Sequence, residues 1–359
     1  MVYCQSIVYN YPYLQSGGMV YDDIQRELSN RGFDLCHPIH TSWYNNLITS
    51  EGLIESGTLK LLPETSSIND GEGRIYNALL IGNTKSIWPV FLNWLSTQVD
   101  EQKKDESSLT DEQALEQITS PFDTFAQSSI TDIIKQCCSK EQSDISSYQL
   151  FWSNGKSQTV HVDKGDDSTD TTESLSVEDK SNLCFNNTSD SFLVSMQRVA
   201  TTTGEYWHDN ESTKLCVHPE YGTWTAFRVV VAFQTKSTCA TADIPPTPTP
   251  CPCPVSEEES KAAKKVFEYA LQMSSSNKLG YGATLNKSWV EICEYLHETI
   301  SSGSEWSKVD HTLKPWIQLR DCITVGREKW KYTDAQLLYH YTRDAEILHN
   351  ELKRIRDKS

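Results

Sequence analysis

A long, largely apolar run extends from Trp224 to Phe233 and is interrupted by Thr225 and Arg228. β-branched and aromatic residues dominate this run and occupy both faces of an extended chain, which is typical of a strand covered on both sides. His218 comes directly before a proline, which keeps it extended, and Gly222 permits a tight bend before the run begins. The pattern therefore predicts a turn that leads into a buried strand.

Arg228 is the charged residue inside this run. A buried guanidinium without a partner costs several kcal/mol, so Arg228 needs a compensating neighbour. An acid on an adjacent strand would supply one, as would open water or a bound anionic ligand. The residues alone favour the adjacent acid and leave the other two open.

Shorter patterns predict the remaining elements, from apolar residues at helical spacing or from short apolar runs bounded by turn residues. The predicted strands cover residues 33–38, 78–81, 148–152 and 159–162, and the last two pair across Asn154-Gly155. The predicted helices cover residues 22–30, a segment with Trp88, Phe91, Leu92 and Leu95, and a segment from Pro121 through Phe125, Ile130, Ile133 and Ile134. A last helix starts near Thr333 and places Leu338, Tyr341, Ala345, Leu348, Leu352 and Ile355 on one stripe.

Three stretches break these patterns. Residues 99–116 are acidic and polar, which predicts an exposed insertion, and residues 161–181 have almost nothing to bury, which predicts a disordered loop. Residues 244–254 alternate proline with threonine and cysteine, which predicts a stiff polyproline-type spacer and a boundary. Beyond the spacer, Ser256…Glu259 and Ser288…Glu291 are capping-box patterns that open helices.

The net charge of −17 argues against a nucleic-acid or anionic-membrane partner, because those partners attract clustered lysine and arginine. No apolar run is long enough to span a bilayer, and the first residues lack the pattern of a secretory signal. Eleven cysteines without a repeated Cys-x-x-Cys pair indicate reduced thiols in a cytoplasmic protein. Cys251-Pro-Cys253 offers two thiolates without two further nearby ligands, so no metal site is predicted.

Several motifs that would assign a chemistry are missing from the sequence. It contains no nucleotide-binding glycine loop, no Gly-x-Ser-x-Gly elbow and no His-Glu-x-x-His helix. The Asp-x-His-x-x-Gly pattern that supplies a histidine to the cobalt of some cobalamin enzymes is also missing. Patterns of single residues therefore leave the reaction open.

Four segments, in order along the chain, resemble motifs of the CblC family, the MMACHC-type cobalamin-processing proteins. The most specific is residues 218–228, which read His-Pro-Glu-Tyr-Gly-Thr-Trp-Thr-Ala-Phe-Arg. The others are Gly32-Phe33-Asp34 followed by Ser-Trp-Tyr-Asn-Asn-Leu at 42–47, Ser-Pro-Phe-Asp at 120–123, and Trp-Lys-Tyr-Thr-Asp at 330–334. They occur in order over most of the chain.

The resemblance implies an α+β fold, with a nitroreductase-like antiparallel sheet flanked by helices and an added helical insertion near the carboxyl terminus. It implies a cobalamin-binding core over residues 1–245, with acidic insertions at about 99–117 and 161–181. A Pro-rich linker at 246–255, an inserted helical segment at 256–312 and a helical cap at 313–359 would follow.

The resemblance also implies an enzyme and chaperone of cobalamin metabolism in the cytoplasm. Such a protein binds cobalamin base-off and removes its upper axial ligand before passing it on. It acts as a cyanocobalamin reductase with FMN or FAD and NADPH as electron source, or as an alkylcobalamin dealkylase with glutathione. A CblD-type adaptor and the methionine synthase machinery are the implied partners, with no nucleic acid and no membrane.

Carried over residue by residue, Arg228 matches the arginine that holds a glutathione carboxylate, and it is the candidate catalytic residue. Arg356 matches a further glutathione arginine. The candidate corrin-binding residues are Ser153, Leu183, Cys184, Phe185, Ser195, Met196, Gln197, Trp207, Cys216 and Phe227.

Some positions depart from the family pattern. Ser195 and Met196 stand where the family has two tyrosines, Ser153 stands where it has an aspartate, and Thr333 stands where it has a second glutathione arginine. One lost charge-assisted contact costs roughly 1.5–3 kcal/mol, so glutathione affinity is expected to fall about tenfold or more. Decyanation is therefore favoured over dealkylation. The alternative is a catalytically silent scaffold of the cobalamin pathway, and a flavin reductase unrelated to cobalamin is a third possibility.

Overall fold

The computed structural model describes residues 19–54, 59–69, 75–105, 108–140, 143–162, 193–236, 244–279 and 313–357. The chain divides into two compact units. The first comprises Met1–Asn83, Ala126–Gly204 and Phe227–Thr249, and the second comprises Thr84–Phe125, Glu205–Ala226 and Pro250–Ser359. Leu183, Cys184 and Phe185, the predicted loop beyond residue 162 and the capping pattern at Ser288 lie outside the described residues.

The first unit is built on a five-stranded antiparallel sheet with strand order β1-β4-β9-β5-β6. Its strands are β1 (Leu35–Ile39), β4 (Ala78–Asn83), β5 (Ile145–Trp152), β6 (Ser157–His161) and β9 (Ala226–Thr235). A separate hairpin consists of β2 (Ile68–Asn69) and β3 (Ile75–Tyr76). The expected apolar run is thus the central strand, and residues 229–233 are all buried.

Helices flank this sheet because each has one apolar stripe to bury. They are α1 (Met19–Asn30), α2 (Thr41–Ser50), most of α5 (Pro121–Cys138) and α6 (Met196–Thr202). Gly32 has a φ of +84°, so the chain turns directly after α1, where the sequence predicted the helix to end. The predicted hairpin between β5 and β6 is confirmed, with Gly155 at a φ of +81°.

The second unit is mainly helical. Its helices are α3 (Ile87–Asp105), α4 (Asp111–Glu116), α7 (Glu257–Leu279), α8 (Lys314–Asp321), α9 (Arg327–Trp330), α10 (Asp334–Thr342) and α11 (Ala345–Arg356). A short hairpin of β7 (Trp207–His208) and β8 (Cys216–Val217) belongs to it as well. The predicted capping box of α7 is confirmed, since Ser256 and Glu259 exchange hydrogen bonds between side chain and backbone.

Two expectations are corrected in this unit. Residues 99–116 are not exposed throughout, because Val99, Ala114 and Leu115 are buried. The last helix is two helices, because Arg343 adopts a left-handed conformation that ends α10, and the Asp344 side chain then caps α11.

In the described part of the chain, no helix is both long and apolar enough to cross a membrane. The same residues contain no group of three or more His, Cys, Asp or Glu side chains arranged to hold a metal.

Candidate functional site

The motif that begins at His218 folds into a tight loop directly after β8. The backbones of His218 and Gly222 bond to each other in both directions, at 2.8 and 2.9 Å. The His218 ring nitrogen Nδ1 accepts the backbone N–H groups of Glu220 and Tyr221, at 3.0 and 3.2 Å. Histidine therefore acts in this loop as a turn-forming acceptor, and Nε2 is the nitrogen left to carry a proton.

Gly222 is required by a close backbone approach as well as by its φ of +59°. A Cβ atom at this position would lie 1.9 Å from the carbonyl oxygen of Val325. Gly326 faces the same contact from the other side, with a φ of +66°, and its Cβ would lie 2.2 Å from the carbonyl oxygen of Glu220. Two backbones thus meet with no room for a side chain between them.

Arg320 of α8 holds the end of the loop. Its Nε and Nη2 atoms donate to the carbonyl oxygen of Thr223 at 3.1 and 2.6 Å, and the Thr223 hydroxyl donates to the carbonyl oxygen of Arg320 at 2.9 Å. The guanidinium lies 4.8 Å from the ring centroids of both Trp224 and Tyr332. Burial alone would lower the pKa of Arg320, but Tyr341 and Tyr332 more than offset this effect and raise it. Arg320 therefore stays charged and fixes the loop.

The segment that carries the resemblance at residues 330–334 packs on this same loop. The rings of Tyr221 and Trp330 meet edge to face with centroids 4.7 Å apart, and Trp224 and Tyr332 do so at 5.7 Å. Two segments about 100 residues apart in sequence therefore form one cluster within the second unit. Thr333 is the N-cap of α10, since its hydroxyl accepts the backbone N–H of Gln336 at 3.3 Å.

Arg228 lies near the start of β9 in the first unit, between β4 and β5. Its Nε atom donates to the side-chain oxygen of Asn83 at 2.7 Å, and its carbonyl oxygen accepts the backbone N–H of Ser153 at 2.9 Å. Asn83 is fully buried, Arg228 is half-buried and Ser153 is exposed. The neighbouring strand β4 thus supplies a neutral amide as one partner of Arg228.

In the first unit, the resembling segment at 42–47 meets the candidate corrin-binding residues at 195–197. The Tyr44 hydroxyl of α2 accepts the backbone N–H of Ser195 at 3.2 Å. Ser195 is the N-cap residue of α6, Met196 is buried and Gln197 is exposed. Of these three candidate corrin-binding side chains, Met196 is therefore part of the core and Gln197 is open to solvent.

Trp207 and Cys216 lie on the two strands of the small hairpin in the second unit, and both are half-buried. Burial, together with the neighbouring Cys251 thiol, raises the pKa of Cys216 far above its usual range. The Cys216 thiol therefore remains protonated near neutral pH and is a poor nucleophile. Phe227 comes directly before Arg228 and is half-buried.

Arg356 lies in α11 and is bound by acids of its own unit. Its guanidinium contacts Asp100 at 2.6 Å and also pairs with Asp111, which bonds Lys103 as well. A cavity of about 360 Å³ opens beside it, lined by Asp111, His349, Leu352, Lys353, Arg356 and Asp357. A ligand carboxylate would have to displace two existing partners, so this arginine is a weak candidate for glutathione.

Sequence reasoning assigned no individual role to four residues that build these two regions: Asn83, Arg320, Gly326 and Tyr44, the last of which lies in a resembling segment. Asn83 stood in a Gly-Asn-Thr turn signal after an apolar run. Only its complete burial shows that the amide serves a specific partner. The other three make long-range contacts that leave no local pattern in the sequence.

No family model matches the sequence, and no curated protein matches it. Among solved structures, the chain is similar to a crystal structure described as a B12-trafficking protein CblC from C. elegans, a homologue of human MMACHC. The TM-score is 0.49 at 15% sequence identity, and the match covers 92% of this chain and 94% of that chain. At this score and identity, the likeness carries no weight for the function of this chain.

Proposed function

We propose that this protein binds cobalamin and takes part in its processing by reductive removal of the upper axial ligand. The observation that carries the proposal is the ordered set of motif segments together with their contacts. Residues 218–224 and 330–333 form one cluster in the second unit, and Tyr44 and Ser195 meet in the first. Two of the four segments that resemble the family thus contact each other, and a third contacts a candidate corrin-binding residue.

Arg228 is the charged group that this proposal assigns to the reaction partner. The Nε of Arg228 donates to the uncharged amide of Asn83, and a planar guanidinium is the donor that suits a carboxylate or phosphate. Both glutathione and a reduced flavin or nicotinamide cofactor carry such anionic groups. Cobalt(III) loses cyanide when it accepts an electron, so the protein's own task is to hold the corrin and orient the donor.

The three positions where the family has glutathione arginines favour reductive decyanation over glutathione-dependent dealkylation. Thr333 caps a helix, and Arg356 is bound to Asp100 and Asp111, so two of the three positions serve the protein's own structure. Each lost charge-assisted contact weakens binding by about tenfold or more. Glutathione binding is expected to be weak in consequence.

A titration of purified protein into cyanocobalamin, followed by visible absorption, tests the proposal. Binding with the nucleotide base detached from cobalt shifts the spectrum, with a Kd of micromolar order or below. An unchanged spectrum at a large excess of protein would reject the proposal. A second titration with a flavin and NADPH present is expected to release cyanide. If cobalamin binds but no cyanide is released, the protein is a carrier without reductase activity.

The second candidate function is a catalytically silent scaffold, which would bind cobalamin and present it to other proteins of the pathway. The engaged state of Thr333 and Arg356 favours it, since both positions serve internal structure. Glutathione-dependent loss of methyl from methylcobalamin would exclude the silent scaffold. Cyanide release without demethylation would agree with the first proposal.

A further inference from the structure

The amino-terminal half of α2 holds two other segments of the first unit through buried side chains. The Tyr44 hydroxyl accepts the backbone N–H of Ser195 at 3.2 Å. The Asn45 side chain donates to the backbone carbonyl oxygen of Leu62 and accepts its N–H, both at 2.9 Å. The position of this half of the helix therefore decides how residues 62 and 195 are held.

The helix begins at a buried histidine. His40 is the N-cap residue of α2 and is 5% exposed. The backbone N–H of Ser42 donates to the ring nitrogen Nδ1 at 3.4 Å, and the Ser42 hydroxyl lies 2.7 Å from the same nitrogen. A backbone N–H can only donate, so Nδ1 is the unprotonated nitrogen and the hydroxyl donates to it as well.

The other ring nitrogen then carries the proton. Nε2 of His40 lies 3.0 Å from the Ser67 hydroxyl oxygen, which accepts its N–H. One neutral tautomer thus satisfies all three hydrogen-bonding neighbours of the ring. In this respect His40 takes the place of the serine, threonine, aspartate or asparagine that usually caps a helix, but its acceptor can be protonated near neutral pH.

A protonated ring cannot serve this cap, because both of its nitrogens are then donors. The Ser42 N–H would face a second N–H, and the Ser42 hydroxyl would have to turn round in order to accept. The neighbouring N–H, that of Thr41, donates to the side-chain oxygen of Asn77 at 2.8 Å and does not depend on His40. Protonation therefore removes one of the two side-chain caps of α2.

The surroundings of the ring keep it neutral. α2 contains no charged residue, and its Trp43 ring has a centroid 6.2 Å from that of His40. On the neighbouring elements, the titratable groups nearest in sequence are His37 of β1 and Glu64 of the segment before β2. Burial lowers the pKa of His40, and no charged side chain among the described residues contributes to this shift.

The sign of the pH dependence follows. The folded pKa of His40 lies below the ordinary value of 6.5, so folding favours the neutral ring. The stability that this ring contributes is fully present above pH 6.5 and is lost as the pH falls through the folded pKa.

We propose that His40 is a pH-sensitive cap, whose protonation at Nδ1 releases the amino-terminal half of α2 and its contacts with Leu62 and Ser195. Ser195 begins α6 and comes directly before Met196 and Gln197, so the proton acts on candidate corrin-binding residues. That last consequence rests on the proposed function, whereas the cap and its release do not.

Nuclear magnetic resonance of the full chain, labelled with nitrogen-15 histidine, tests the cap directly. Long-range proton–nitrogen spectra show which ring nitrogen carries the proton at each pH, and the His40 signal is identified by its loss in His40→Asn. At about pH 8, His40 is expected to carry its proton on Nε2, and it is expected to titrate below pH 6.5. A proton on Nδ1 at high pH, or titration at 6.5 or above, would overturn the proposal.

Hydrogen exchange at the backbone N–H groups of Leu62 and Ser195 measures the release. After correction for the intrinsic pH dependence of exchange, wild type is expected to exchange about tenfold faster at about pH 5 than at pH 7. His40→Asn keeps a capping acceptor that does not titrate, so its corrected rates are expected to change less than about twofold. Equal acceleration in both proteins would contradict a role of His40.

Cobalamin affinity at the same two pH values separates this cap from the proposed function. Wild type is expected to bind at least about threefold more weakly at low pH, and His40→Asn equally at both. Faster exchange without weaker binding would sever the cap from the corrin site. Failure to bind cobalamin at either pH would reject the proposed function and leave the exchange result standing.

Discussion

The residues from His218 to Arg228 belong to two regions that are held in different ways. The loop at 218–224, in the second unit, is fixed by two glycine contacts, the Arg320 guanidinium and two pairs of aromatic rings. Arg228, in the first unit, donates its Nε to the amide oxygen of Asn83. The first region behaves as scaffold and the second as a positioned charge. A single sequence motif can therefore combine residues that serve the fold with a residue that can serve a ligand.

Gly222→Ala tests the scaffold role of the loop at 218–224 and has the largest expected effect. The added Cβ meets the carbonyl oxygen of Val325 and also forces a left-handed alanine, so the free energy of unfolding is expected to fall by more than about 3 kcal/mol. Urea denaturation followed by tryptophan fluorescence measures this loss. Gly155→Ala is the control, because its φ of +81° is similar but nothing lies within 4 Å of the added atom. It is expected to cost about 1 kcal/mol, and equal losses would contradict the close-contact argument.

Arg320→Ala removes the two hydrogen bonds to Thr223 and the stacking on Trp224 and Tyr332. We expect a loss of about 2–4 kcal/mol in the free energy of unfolding. Arg320→Lys keeps the charge without the planar fork, so it is expected to recover less than half of this loss. Full recovery by lysine would mean that charge alone stabilises the loop.

Arg228→Ala tests the opposite region. Glutathione-dependent turnover, if present, and reductant affinity are expected to fall about tenfold, while the cobalamin Kd changes less than threefold. Visible titration and steady-state assays on one protein preparation measure both quantities. Asn83→Ala is the companion variant, because it removes the partner of Arg228 and keeps the charge. Equal loss of cobalamin binding and turnover in Arg228→Ala would show that the arginine is structural.

The smallest expected effect is the pH dependence of Glu259, which fixes Thr324 beside the glycine contact. Burial alone would raise the pKa of Glu259, but hydrogen bonds from Thr324 and Ser256 lower it to about 2. Because the folded pKa lies below the ordinary 4.5, the ionised form stabilises the protein above pH 4.5, and this contribution disappears as the pH falls toward 2.

Glu259→Gln is therefore expected to cost about 1 kcal/mol at pH 7 and nothing near pH 2. Denaturation of both proteins across this pH range checks the prediction. A difference that stays constant from pH 7 to pH 2 would mean that the ionised carboxylate contributes nothing beyond what an amide provides.

Local patterns predicted the elements that local physics decides. The apolar run at 224–233 became the central strand, Asn154-Gly155 became a hairpin turn, and Ser256 with Glu259 became a capping box. The break at Arg343 was missed because the apolar stripe continues through it at helical spacing. Glycine or asparagine usually adopts the left-handed conformation that ends a helix, so an arginine at this position gave no signal.

The candidate site was less predictable, because its geometry depends on contacts between distant segments. Nothing near Arg320 in the sequence indicates that it will stack on Trp224, and nothing near Gly326 indicates that Glu220 will lie against it. Arg228 was found as an anomaly within an apolar run, but its neutral partner Asn83 was not. A charged residue within an apolar run can be recognised from the sequence, whereas the residues that contact it in the fold cannot.

Gly222 and Gly326 restrict the substitutions that this protein can accept during evolution. The space beside Gly222 is filled by the backbone of Val325, and the space beside Gly326 by the backbone of Glu220, so no smaller side chain elsewhere can compensate for enlarging either glycine. In a saturation library selected for folded protein, both positions are expected to accept glycine alone. Substitutions in this part of the molecule are therefore expected at other positions and not at these two glycines.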